Sequence, residues 1–429
     1  MSDHTASALP FDLLPDHAEA DGDGRLSIGG VDLLELAERY GTPLFVYDEE
    51  HLRARCREAR GVFGDGGAIY ATKAFLCRAM ARLVHSEGLR LDVATGGELE
   101  VVLSAGVPAD RLVLHGNNKS DAELSRALEV GVGRVVVDSA VELDRIESLV
   151  STGAPRPKVL LRINPGIEVH THEHVQPGNL DSKFGFPLST GQADEAMRRA
   201  SASAAMDLVG MHMHIGSQVF SVSNFREGLR TVALFVADHG PEEFVVGGGL
   251  GVAYLAGEQA PTITEWGEAI LETCRSAGIT ASISAEPGRA IAASGAVTLY
   301  TVGTIKYIPG IRTYVAVDGG MSDNPRPVLY GSGYETFLPR ASTSRREMPI
   351  RLVGKHCESG DLLVREGLVP ADLSVGDVIA TPVTGAYGHS MGSNYNKVLR
   401  PPVVFVRDGE ARLVVRRETV EDLLATDLG

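Results

Sequence analysis

From about residue 66 the chain alternates short, apolar, often β-branched runs with turns and helical patterns, eight times over roughly 230 residues. The runs are 68–71, 89–93, 112–114, 135–137, 159–163, 208–213, 244–246 and 279–285. Between several of them apolar residues recur at three and four positions, as in 98–105 and 121–130. Strand then helix, repeated eight times at this length, predicts a (β/α)8 TIM barrel, and a doubly wound open sheet satisfies the same pattern.

After about residue 295 the helical period fades. Short strands separated by turn residues are expected at 297–302, 313–317, 350–353, 378–381, 403–406 and 413–415. The last two flank Arg407-Asp408-Gly409-Glu410, where Asp-Gly suits a tight hairpin. The expected organisation is an N-terminal arm over 1–47 with a strand joining a β domain, a barrel over 48–295, and a C-terminal all-β sandwich or barrel over 296–429. The first thirty residues have little periodicity and read as a partly ordered arm. Its Asp21-Gly22-Asp23-Gly24 run is not a calcium loop, because Gly30 stands where the bidentate carboxylate is needed.

A formal charge of -16 repels phosphate backbones and anionic lipid, which argues against nucleic-acid or membrane partners. The sequence shows no basic, apolar leader and no run of about eighteen apolar residues, so a cytoplasmic location is expected. Its four cysteines lack CxxC spacing, so any cysteine that matters does so as a thiol. Only seven residues are lysines, which leaves few candidates for amine chemistry.

Barrel active sites lie just past the C-terminal ends of the strands. Thr72-Lys73-Ala74-Phe75 follows the first run, and a lysine partly desolvated there becomes a nucleophilic Schiff-base amine. Met211-His212-Met213-His214-Ile215-Gly216-Ser217-Gln218 surrounds the end of the sixth, with His214 nearer the catalytic end. Gly247-Gly248-Gly249-Leu250-Gly251 follows the seventh, and Glu286-Pro287-Gly288-Arg289 the eighth. Convergent backbone N–H groups in the glycine run suit a phosphate, but Val252 breaks the dinucleotide fingerprint. The cluster His170-Thr171-His172-Glu173-His174 lacks metal-ligand spacing, and no metal is expected. A lysine, a phosphate cradle, a carboxylate and a histidine able to lie against a ring together point to pyridoxal 5'-phosphate as cofactor. A carboxylate beside its ring nitrogen favours the protonated form, in which it is an electron sink.

Six ordered motifs then carry a resemblance. They are Tyr70–Phe75, His212–Ser217, the triple glycine, Glu286–Arg289, His356-Cys357-Glu358-Ser359-Gly360-Asp361, and Gly385-Ala386-Tyr387 with Ser393-Asn394-Tyr395-Asn396. From about Gly41 onward the chain resembles the diaminopimelate decarboxylases, members of the alanine-racemase-like class of pyridoxal phosphate enzymes. The resemblance implies that Lys73 bonds the cofactor and that His214 stacks on its ring. Ser217, Gly247, Gly248, Gly249, Gly288 and Arg289 would hold the cofactor with Glu286 on the ring nitrogen, and Tyr387 would touch both cofactor and substrate. Arg326 and Tyr330 would clamp a substrate carboxylate with Arg289, and Glu358 would read the distal amino group. Cys357 would return the proton, from the second subunit of a homodimer. The implied reaction is loss of CO2 from meso-2,6-diaminopimelate to give L-lysine. A racemase would prefer an arginine at the ring nitrogen, and a bare cofactor carrier needs no β domain. A decarboxylase for another diamino or dicarboxylic amino acid fits most of the same motifs.

Overall fold

The computed structural model describes residues 8–169, 175–177 and 181–429, so the histidine cluster at 170–174 lies outside the described residues. The described residues form two compact units, one within 55–252 and 260–290, the other within 8–54, 253–259 and 291–429.

The first unit holds eight parallel strands in chain order: Ile69–Ala71, Arg90–Val93, Leu112–Leu114, Arg134–Val137, Lys158–Asn164, Asp207–Met213, Glu243–Val245 and Ser282–Ser284. Ala68 bridges Ala285 in parallel, the Ile69 N–H donates to the Ala285 carbonyl at 2.9 Å, and the Ala285 N–H donates to Gly67 at 3.0 Å. These bonds join the last strand to the first, so the sheet is a barrel and not an open doubly wound sheet. Ile69, Val113, Val136, Leu160, Val209 and Val245 form one buried cluster contributed by six of the strands. The β-branched content of the runs suits such stiff, fully buried positions.

The helices begin where local chemistry can satisfy their free N–H groups. Ser120 and Glu123 form a capping box at the start of Asp121–Val130, as do Thr262 and Glu265 at Ile263–Ser276. Trp266 is fully buried on the latter helix, edge-on to Phe63 and Phe225 at 5.7 Å each.

The second unit is built on a mixed sheet of eight strands. Its spine, Ala296–Ile308, is 13 residues long and pairs with Leu44–Asp48, Val378–Pro382 and Arg312–Val317. Leu44–Asp48 also runs parallel to Val403–Arg407, and all five of its residues are buried. Asp408 (φ 52°) and Gly409 (φ 78°) supply the positive φ angles of the 407–410 hairpin.

Two local expectations need correction. Strand Leu362–Val369 was not anticipated, because its run is interrupted by Arg365 and Glu366, which face solvent. The arm is better ordered than its composition suggests. Ala18–Ala20, Leu26–Ile28 and Val31–Asp32 form a three-stranded sheet, and Leu9, Leu13, Leu26 and Ile28 are buried. Tertiary burial supplies the order that periodicity in so short a stretch cannot. No helix among the described residues is long and apolar enough to cross a membrane.

Candidate functional site at the barrel mouth

The first strand ends in a short turn, Thr72–Ala74, pinned at both sides of Lys73. The buried Thr72 donates its N–H to Asp92 Oδ1 (3.0 Å) and its hydroxyl to the Asp92 carbonyl (2.7 Å). The buried Tyr70 hydroxyl donates to the Phe75 carbonyl at 2.9 Å. Lys73 itself is exposed. Its backbone is fixed by these flanking bonds. Burial pushes the Asp92 carboxyl up to about 7, the charge of Glu286 adds to that rise, and His115 and Lys73 oppose it.

Glu286 follows the eighth strand, its N–H donating to the Gly247 carbonyl at 2.8 Å, and is 6% exposed. His212 Nε2 donates to Glu286 Oε2 at 3.1 Å. His115 Nε2 lies 2.9 Å from Oε1 but off the hydrogen-bonding line, so Oε1 is a buried acceptor without a hydrogen bond. Burial alone would raise the Glu286 carboxyl, but His115 and His212 hold it well below the usual range. Burial pushes His212 down to about 4, against the pull of Glu286, so His212 is a neutral donor. The two imidazoles meet edge to face at 5.0 Å. His214, pressed well below its ordinary value first by burial and then by the charges of Lys73 and Arg162, is also neutral. Its Nδ1 accepts a long 3.4 Å bond from the Gly248 N–H.

The glycine run has no room for side chains. A Cβ on Gly248 would sit 2.3 Å from the Glu286 carbonyl, and one on Gly249 2.3 Å from the Gly216 carbonyl. Arg289 Nη2 donates to Ser217 Oγ at 3.1 Å, which brings those two residues together at the exposed rim. A Cβ on Gly288 would lie 2.7 Å from the Ala71 side chain, close against the end of the first strand.

The remaining candidates belong to the other unit. Arg326 and Tyr330 are the first and last residues of a single short helix, Arg326–Tyr330, but differ sharply in exposure, at 4% and 65%. The Arg326 guanidinium donates to the Tyr334 hydroxyl at 2.5 Å and stacks on Tyr254 at 4.1 Å. Cys357 is exposed and Glu358 with it, whereas Cys56, Cys77 and Cys274 are buried. Burial pushes the Cys274 thiol up to about 12, which leaves it inert at neutral pH. The Cys357 N–H donates to Asn396 Oδ1 at 3.1 Å, joining two motifs 39 residues apart. Tyr387 is half-buried and holds a left-handed φ of 59°.

Four residues at these places escaped sequence reading. His115 directly follows the third strand, so the same strand-end rule would have found it. Asp92 lies within the second strand, where a lone carboxylate in an apolar run was the available signal. Tyr254 and Tyr334 carried no signal, because their meeting at Arg326 is purely tertiary.

An unpartnered buried acceptor, a neutral imidazole, a rim lysine and a cradle with no space for Cβ atoms fit a protonated pyridine ring bearing an aldehyde and a phosphate. That combination on a barrel defines a pyridoxal-phosphate-dependent enzyme. A family model described as the pyridoxal-binding domain of pyridoxal-dependent decarboxylases matches residues 49–293, more than half of the chain. Diaminopimelate decarboxylase of Mycobacterium tuberculosis is 46% identical, over 98% of both chains, and that of Bacillus subtilis 43%, over 94% of this chain and 95% of the relative. A crystal structure of diaminopimelate decarboxylase from M. jannaschii superposes with a TM-score of 0.89 at 32% identity, covering 97% of this chain and 98% of the other. The chain belongs to the diaminopimelate decarboxylase family of pyridoxal-phosphate-dependent carboxy-lyases.

Proposed function

We propose that the protein removes CO2 from meso-2,6-diaminopimelate to give L-lysine, the last step of lysine biosynthesis, acting in the cytoplasm. The observation that carries the reading is Glu286, a carboxylate held ionised with one buried oxygen open to a donor. When bound, pyridoxal phosphate supplies an electron sink for the charge left as CO2 departs. A protonated ring nitrogen is what a decarboxylase needs, and an ionised carboxylate stabilises it. A racemase is better served by an unprotonated nitrogen, so Glu286 argues against that activity.

In this reading Lys73 bonds the cofactor through its amine, and its exposure lets an incoming amino group reach it. His214 offers a neutral flat ring to stack on, while Ser217, Gly247, Gly248, Gly249, Gly288 and Arg289 hold the phosphate side. Arg326, stiffened by Tyr254 and Tyr334, presents a fixed fork to a substrate carboxylate, with Arg289 and Tyr330 completing the clamp. Glu358 reads the distal amino group, Cys357 holds the proton returned to the α-carbon, and Tyr387 contacts cofactor and substrate. The exposure of Cys357 and Glu358 supports a homodimer in which each chain lends both residues to its partner's site.

A second substrate class enters the test because a lysine/ornithine decarboxylase from Vibrio vulnificus is also similar in structure, at 25% identity and a TM-score of 0.74. The test is product analysis by mass spectrometry of cofactor-loaded protein incubated separately with meso-diaminopimelate, lysine, ornithine, arginine and glutamate. Lysine from diaminopimelate alone is the expected result. Decarboxylation of another substrate only would overturn the specificity while leaving the reaction class standing.

A further inference from the structure

Glu286 alone does not explain why two histidines from separate strands converge on it. His212 comes from the sixth strand and His115 from the turn after the third, and both present Nε2 to the same carboxylate, at 3.1 and 2.9 Å. We propose that His115 and His212 are positioning residues that flank Glu286 so that the proton shared with the cofactor rests on the ring nitrogen and not on the carboxyl. The inference rests on the reading in which Lys73 and Glu286 hold pyridoxal phosphate.

A carboxyl group beside a pyridine nitrogen shares one proton with it, and the less basic partner gives it up. Burial works the wrong way, because removing Glu286 from water favours its neutral form. An unassisted glutamic acid here would keep the proton and leave the ring a poor electron sink. Two imidazoles reverse this by favouring the ionised form, His212 through a hydrogen bond to Oε2 and His115 through its close approach to Oε1. Because His115 lies off the hydrogen-bonding line, the lone pairs of Oε1 stay open to a further donor. Asp92, Arg162, His214 and Lys73 also face this cluster and must be counted in any titration.

The experiment reads the ring nitrogen directly, by NMR of the holoenzyme loaded with 15N-labelled pyridoxal phosphate. Wild type is compared with His115→Leu, His212→Leu and the double variant, and with His115→Gln and His212→Gln, which restore an N–H. The leucine variants are expected to move the nitrogen signal toward the unprotonated position at pH 7.5 and to lower kcat roughly 10- to 100-fold with little change in KM. The glutamine variants should recover most of both. Borohydride fixation followed by peptide mass spectrometry monitors the cofactor on Lys73 throughout. No adduct on wild-type Lys73 would defeat the underlying reading of the site. An adduct on Lys73 with the nitrogen still protonated in the double leucine variant would overturn the histidine inference alone. Loss of the adduct in the leucine variants also counts against it, since holding a proton in place does not require holding the cofactor.

Discussion

At the barrel mouth Asp92, His115, His212, His214 and Glu286 press on one another, whereas in the β domain Cys357, Glu358 and Tyr330 stand exposed. The first arrangement shifts proton affinities through burial and mutual charge, which requires fixed partners within a few ångströms. The second holds its groups by local bonds at the surface, Glu358 Oε1 accepting from Ser359 and Gly360 and the Cys357 N–H donating to Asn396, with only Arg326 buried between Tyr254 and Tyr334. Cofactor chemistry is thus prepared inside one unit of one chain. In the proposed function, proton return and substrate reading fall to the β-domain groups, and a second copy of the chain covers them.

The largest expected effect separates the two regions outright. Lys73→Ala should abolish both turnover and the absorbance of bound cofactor; a variant that keeps full activity would remove the barrel mouth from the mechanism. Cys357→Ala should slow turnover by about 10²- to 10⁴-fold while the cofactor absorbance stays intact. Mixing Lys73→Ala with Cys357→Ala protein should raise activity well above that of either variant, because each hybrid dimer then carries one intact site. Failure to restore activity, with subunit exchange verified by mass spectrometry, would place Cys357 in its own chain's site.

Gly248→Ala sharpens the comparison from the cofactor side. Its Cβ would meet the Glu286 carbonyl at 2.3 Å, so the cradle must open. Cofactor affinity, read by equilibrium dialysis, should fall roughly 10-fold or more while the β domain is untouched. Unchanged affinity would mean that the glycine run does not grip the phosphate.

The smallest effect concerns pH and lies in the β domain. Burial pushes His389 down to about 4, so it is neutral when folded. As pH falls from 6.5 toward 4 the unfolded chain binds a proton there that the folded chain refuses, and stability is lost over that window. Asp323, pushed up to about 7 by burial, acts in the opposite sense, because the folded chain takes its proton first as pH falls below 7. His389→Gln should therefore raise Tm at pH 5 relative to pH 7.5 by roughly 2–4 °C compared with wild type. An unaltered difference between the two pH values would show that His389 titrates normally in the folded state.

Much of the fold was legible because strand burial leaves a local mark. The runs at 112–114 and 121–130 match the observed strand and helix to the residue, since apolar periodicity and the Ser120–Glu123 cap are written into adjacent positions. Strand 362–369 was hidden because Arg365 and Glu366 interrupt its apolar run, and the small N-terminal sheet because its order comes from burial and not from period. In the site, strand-end position marked Lys73, His214 and Glu286. It would have marked His115 too had the third strand been read by the same rule.

The sequence by itself determined the alternation that makes a barrel, the cofactor chemistry and the order of the motifs, because these depend on residue type and on spacing along the chain. It also told that Arg326 and Tyr330 are four apart. Only the tertiary structure decided that the sheet closes through Ala68 and Ala285, that Arg326 is locked by two tyrosines while Tyr330 faces solvent, and that two histidines share one carboxylate. Proton affinity and burial depend on neighbours brought together from distant positions, and spacing along the chain carries no record of those distances.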